Sequence, residues 1–168
     1  MKVALTVLSC IFAALTMPGQ TEIPLKSPIS SLAYFQGTWS CNGHFFKVDR
    51  KISADMTFKP DLNGSWLILR HDDRPPNIFH AIELWGFDET AKTYVAVIAD
   101  SGGGFRLFTS PGWTGESFVW TGDGLPSRQN GTQRFTFEKK NAGEFVITYH
   151  VLQNEEWKPV DTLACEKK

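Results

Sequence analysis

The stretch TQRFTFEKKNAGEFVITYHVL, residues 132–152, alternates with a period of two, the signature of β-strands. Phe135 and Phe137 alternate with Arg134, Thr136 and Glu138, so the first strand of this pair has one wet face. Phe145, Ile147, Tyr149 and Val151 alternate with Val146, Thr148, His150 and Leu152, so the second strand is apolar on both faces. Trp66 to Leu69 and Val95 to Ala99 share that two-sided apolar character. Something is therefore expected to cover parts of the outer wall, or one end to pack tightly.

The pattern extends outward in both directions. Segments rich in Val, Ile, Phe, Trp and Thr recur every 10 to 15 residues between clusters of Gly, Asn, Asp and Pro, and no window shows a helical period. After a short turn or helical lead-in at 27–33, strands are predicted at 36–46, 54–59, 65–71, 79–87, 93–100, 104–109, 116–121, 132–139, 144–152 and 157–166. Asn63-Gly64 and Asn130-Gly131 are the strongest hairpin signals, because a type I′ turn requires positive φ at both central residues. About ten antiparallel strands in sequential order can close with the first beside the last. The fold class expected is all-β, a single up-and-down antiparallel β-barrel.

The cysteines point the same way. Cys10 falls in the N-terminal apolar run, leaving Cys41 and Cys165 at opposite ends of the domain. In an exported protein such a pair predicts a disulfide, with two free buried thiols as the alternative. A bond between them would make the first and last strands neighbours, since bridged α-carbons lie within about 7 Å.

Export itself is read from the N-terminus. Met1-Lys2 is a short positive start and Val3 to Met17 an almost unbroken uncharged apolar run, matching a signal peptide over residues 1–20 with cleavage between 16 and 22. At about 15 residues the run is shorter than the roughly 20 needed to span a bilayer. Val7-Leu8-Ser9-Cys10 faintly resembles a lipoprotein box, but the apolar run continues past the Cys. A domain at 21–168 and a periplasmic or secreted location are the expectations. Seventeen Lys and Arg against 18 Asp and Glu leave no basic excess to neutralise a phosphate backbone, which argues against a nucleic-acid partner. The 13% aromatic content, six Trp among it, is what fills a wide core or lines a pocket.

Phe35-Gln36-Gly37-Thr38-Trp39 resembles the Gly-x-Trp opening of lipocalin-like (calycin) barrels, in which the Trp plugs one end. Leu62-Asn63-Gly64-Ser65-Trp66-Leu67, Leu84-Trp85-Gly86-Phe87-Asp88, Lys92-Thr93-Tyr94-Val95 and Asp100-Ser101-Gly102-Gly103-Gly104 are similar in order and spacing to DUF1579, a family of exported lipocalin-like proteins. That resemblance covers roughly residues 33–122. It implies a barrel and no established reaction. The related nitrobindin-like barrels share a Gly-Thr-Trp opening and bind haem through a His on the final strand. Residues 157–168 contain no His, so haem is disfavoured and no cofactor is implied.

Candidate chemistry is sparse. His80 alternates with Ile78, Ile82 and Leu84, so it is a candidate to point inward as a ligand or proton-transfer group, or to be a hydrogen-bonded wall residue. His44 and His71 fall near strand ends, and His150 lies on the Val146 and Thr148 face. Glu83 is a possible general base, though a surface charge alternating outward is preferred, and Asp72 belongs to a polar stretch read as a solvated loop. No His or Cys spacing suits a metal, and no nucleophile motif occurs. Ser101 to Gly104 reads as a mobile hairpin tip at the mouth, and Trp113 as a loop residue that either binds or packs over a barrel end.

The functional expectation is an exported barrel holding an apolar or aromatic small molecule, with Trp39, Trp66, His80, Trp85, Arg106 and Trp120 as the candidate ligand-binding residues. Two alternatives stand beside it. One is a hydrolase or isomerase using His80 with Glu83 or Asp72, and the other a structural or interaction module with a filled barrel. A His and carboxylate pair inside a cavity would favour the enzyme.

Overall fold

The computed structural model describes residues 23–123 and 131–168. The expected signal segment 1–20, and Asn130 of the second Asn-Gly pair, lie outside the described residues. A 3-10 helix, Ile29–Phe35, precedes eleven strands: β1 (Gly37–Phe45), β2 (Lys51–Asp61), β3 (Trp66–Asp73), β4 (His80–Asp88), β5 (Thr93–Asp100), β6 (Phe105–Ser110), β7 (Trp113–Thr114), β8 (Ser117–Asp123), β9 (Thr132–Asn141), β10 (Glu144–Gln153) and β11 (Glu156–Lys167).

All pairings are antiparallel and nearly all join sequence neighbours, in the order β6-β5-β4-β3-β2-β1-β11-β10-β9-β8-β7. The first strand pairs with the last along Trp39↔Lys167 through Phe45↔Asp161. Closure comes from β6 meeting β8 at Thr109↔Thr121, with the two-residue β7 folded back on β8. The result is the closed ten-stranded barrel expected, with β7 as an added rung. Closure removes the unpaired edges that an open sheet would expose. At the β2–β3 turn Asn63 has φ 57° and Gly64 φ 77°, so both residues hold the left-handed conformation that the dipeptide predicts.

One end of the barrel is plugged by the 3-10 helix. Ile29, Leu32 and Phe35 turn inward and are buried. The Phe35 ring stacks on Phe58 and Trp113 and meets Trp85, Phe137 and Phe145 edge-on, every centroid separation being 5.5 Å. Trp39 seals the same end, its indole Nε1–H donating to the Phe35 carbonyl at 2.7 Å. Trp113 packs over this plug and donates its Nε1–H to Ser31 O at 3.0 Å, which decides between the two readings of that residue in favour of packing.

Above the plug lies a layer of buried rings, Trp85, Trp120, Phe118, Phe137 and Phe145, joined by edge-on and tilted contacts. Rings in such arrangements contribute beyond their buried area. On the outside, Ile82 of β4 and Phe105 and Leu107 of β6 are exposed to solvent.

Candidate functional site

Beyond the aromatic layer, toward the end opposite the plug, the lumen opens into a cavity of about 440 Å³. Its walls are mainly apolar: Ile52, Met56 and Leu69 from β2 and β3, Ile98 from β5, Phe135 and Phe137 from β9, and Ile147 and Leu163 from β10 and β11. Pro76, Ile78 and Phe79 of the β3–β4 connection and Arg50 of the β1–β2 connection also line it.

The polar groups enter by strand parity. On β3, Leu67 and Leu69 are buried, so the alternate positions His71 and Asp73 face the same way. His71 Nε2 lies 2.8 Å from Asp73 Oδ1, with only 13% and 7% of the two side chains exposed. Phe79 packs edge-on against the His71 ring at 5.4 Å. On β4, Ala81 and Trp85 are buried, which brings Glu83 inward, where Trp85 Nε1–H donates to its Oε2 at 2.8 Å. On β11, Leu163 and Cys165 are buried and place Asp161 on the cavity wall, in register with Tyr149 of β10. Arg106 of β6 completes the set, its guanidinium paired with Asp100 and donating to Gln133 Oε1 at 3.0 Å.

Burial dominates the electrostatics. It pushes the Asp161 carboxyl up to about 6, with Asp73 adding to the rise and His71 opposing it. Burial likewise raises Glu83, against the Trp85 hydrogen bond and the charges of His71 and Arg106. The Tyr149 phenol is raised by burial and by Asp161, against Arg106. Burial also pushes at Asp100, but Arg106 and the Gly104 and Gly102 amides hold it below the usual carboxylate range. No hydrogen bond between the Asp161 carboxylate and another described residue is formed. Among the described residues, no three His, Cys, Asp or Glu side chains are placed to hold a metal ion.

The six residues expected from sequence are dispersed. Arg106 alone of them lines the cavity. Trp39, Trp85 and Trp120 are buried in the plug and the aromatic layer, Trp39 and Trp85 fully. Trp66 lies on the outer wall across Gly86, where an added Cβ would come within 2.6 Å of its ring, so the glycine permits the close approach. His80 does not point inward. Its Nδ1 lies 2.8 Å from Asp72 Oδ1 on the outer surface, where Arg70 also pairs with Asp72. His80 is thus the hydrogen-bonded wall residue of its two readings; Ile82 beside it in phase is exposed, and Glu83, for which an outward surface charge was preferred, is inside with Trp85. Ser101 to Gly104 is a pinned turn, with Asp100 Oδ1 accepting from the Gly102 and Gly104 amides at 2.9 Å each.

Sequence reasoning missed Tyr149 and Asp161, read Asp73 with Asp72 as part of a solvated loop, and left His71 without a role. A signal for Asp161 was present: a disulfide-bonded Cys165 inside the barrel carries Leu163 and then Asp161 inward at steps of two. Cys41 and Cys165 are bonded, with α-carbons 4.0 Å apart.

A family model described as "Protein of unknown function (DUF1579)" matches residues 26–165, nearly the whole described chain. No curated protein matches the sequence.

Proposed function

The chain belongs to the DUF1579 family, and on that premise we propose that it is a container that takes a small, largely apolar or aromatic molecule into the lumen of its barrel. The observation that carries this reading is the cavity: about 440 Å³ lies within the roughly 300–1,000 Å³ range of small-molecule sites, with walls of aliphatic and aromatic side chains and few polar groups. The plug at Phe35 closes the other end, so a ligand would enter past Ile78 and Phe79. Ile78 is 83% exposed, an apolar side chain placed where an apolar guest would first make contact.

We read the protein as exported. The uncharged run from Val3 to Met17 supports this, as does the Cys41–Cys165 disulfide, a bond that persists in oxidising compartments. No helix among the described residues is long and apolar enough to cross a membrane.

The test is titration with N-phenyl-1-naphthylamine, a neutral aromatic dye that brightens on leaving water, alongside mass spectrometry of an organic extract of protein from its native compartment. Saturable brightening with one dye per chain, and a co-extracted small molecule, are expected. Extract free of small molecules together with no dye uptake would overturn the reading.

A further inference from the structure

A container for apolar molecules gains nothing from a largely buried carboxylate that faces its cavity and accepts no hydrogen bond from the protein, and burying such a group is costly. Asp161 is such a group. It is held on the wall by the bonded Cys165 four residues on, and its cross-strand neighbour is Tyr149. Tyr149 is fixed in turn: its ring stacks on Phe135 at 4.8 Å and 22°. No hydrogen bond to a described residue occupies the Tyr149 hydroxyl, and both side chains line the cavity. A proton acceptor and a phenolic donor therefore stand side by side at an apolar binding space, the pairing that proton abstraction next to a carbonyl requires.

We propose that the cavity is an active site that enolises a carbonyl compound, with Asp161 as the base and the Tyr149 hydroxyl as the hydrogen-bond donor to the carbonyl oxygen. This rests on the container reading, because the substrate is the molecule the lumen admits. The Asp161 carboxylate takes a proton from the carbon next to the carbonyl, and the C–H electron pair becomes the carbon–carbon double bond of an enolate. The carbonyl π pair moves onto oxygen, where the Tyr149 O–H stabilises it. The neutral Asp161 carboxyl then returns the proton to carbon, at the same position or, in a β,γ-unsaturated substrate, at the far end of the conjugated system. Nothing is oxidised or reduced.

The surroundings suit both roles. Burial raises Asp161 to about 6, so it is ionised at neutral pH yet a stronger base than a solvated carboxylate. Burial also raises the Tyr149 phenol, which keeps its proton available for donation. His71, tied to Asp73 and braced by Phe79, opposes the rise at Asp161 electrostatically. The other ionisable groups on the cavity wall are Glu83 of β4, Arg106 of β6 and Arg50 at the rim.

The experiment uses 2-tetralone, an aromatic ketone, in D2O, with exchange of its α-protons followed by proton NMR and its binding followed by quenching of tryptophan fluorescence. The protein is expected to accelerate exchange well beyond an equal concentration of acetate, with a rate that rises as pH passes through about 6. Asp161→Asn should return the rate to that of buffer. Tyr149→Phe should lower it roughly a hundredfold while leaving 2-tetralone affinity nearly unchanged. Asp72→Asn, on the outer wall, should leave it unaltered. Binding without exchange above acetate, or full exchange in either the Asp161→Asn or the Tyr149→Phe variant, would overturn the assignment and leave the container standing. Absence of both binding and exchange would overturn the enolisation, and would overturn the container as well where N-phenyl-1-naphthylamine uptake and the extract are also negative.

Discussion

Cys41 and Cys165 face each other directly across the β1–β11 ladder, so the disulfide clamps the seam where the first strand of the barrel meets the last. The two residues are 124 positions apart, so the bond closes a long loop and restricts the chain once it is unfolded. Replacing both by Ala is expected to destabilise the protein by about 5 kcal/mol in the chain-entropy model. Urea denaturation of oxidised, reduced and doubly substituted protein would measure this, and equal midpoints would rule it out.

Asp161 makes stability depend on pH in an unusual direction. Its folded pKa of about 6 lies above the ordinary value of 3.8, so the folded state binds the proton more tightly than the unfolded state. The cost of ionising it in place is absent below about 3.8, grows as pH rises toward 6, and is at most about 3 kcal/mol at neutrality. His71 and Asp73 across the lumen, and Tyr149 beside it, act on the same group. Asp161→Asn should be more stable than the native protein at pH 7, with the gap shrinking toward pH 4. A gap that stays constant across that range in urea titrations would contradict the assignment.

Phe35 anchors the plug against five other rings. Phe35→Ala should cost about 3–5 kcal/mol, the usual range for removing a fully buried ring from a close-packed core. Calorimetry would register it as a lower Tm, and an unchanged Tm would show that the helix is not part of the core.

Ile98 is buried on the cavity wall, away from the proposed base. Ile98→Trp should fill the space an aromatic guest needs and abolish brightening of N-phenyl-1-naphthylamine, at a cost of about 1–3 kcal/mol from overpacking. A folded variant that still takes up the dye with native affinity would place the binding site elsewhere.

The contrast between β4 and β9 shows where sequence reading succeeded. On β9 the apolar face was unambiguous, because Phe135 and Phe137 alternate with charged and polar neighbours, and both line the cavity. On β4, apolar residues occupy both faces, so His80 with Ile82 and Leu84 looked as fit to turn inward as Ala81 with Trp85. A shift of one residue exchanges the two faces entirely. That ambiguity left His80 open between an inward and a wall position and let Glu83 be preferred as outward, whereas His80 lies on the outer wall and Glu83 inside. The pairing of His80 with Asp72 does occur, but outside. The histidine and carboxylate inside are His71 and Asp73, from the neighbouring strand.

By itself the sequence determined the strands, the Asn63-Gly64 turn, the sequential order and the bonded ends, since each rests on local periodicity, turn chemistry or the reach of one covalent bond. The cavity and its occupants were decided only by the tertiary structure. Whether a barrel is filled depends on how ten inward rows of side chains meet across the lumen, and the acidity of Asp161 depends on how much water that meeting excludes. Neither quantity is a property of any one strand.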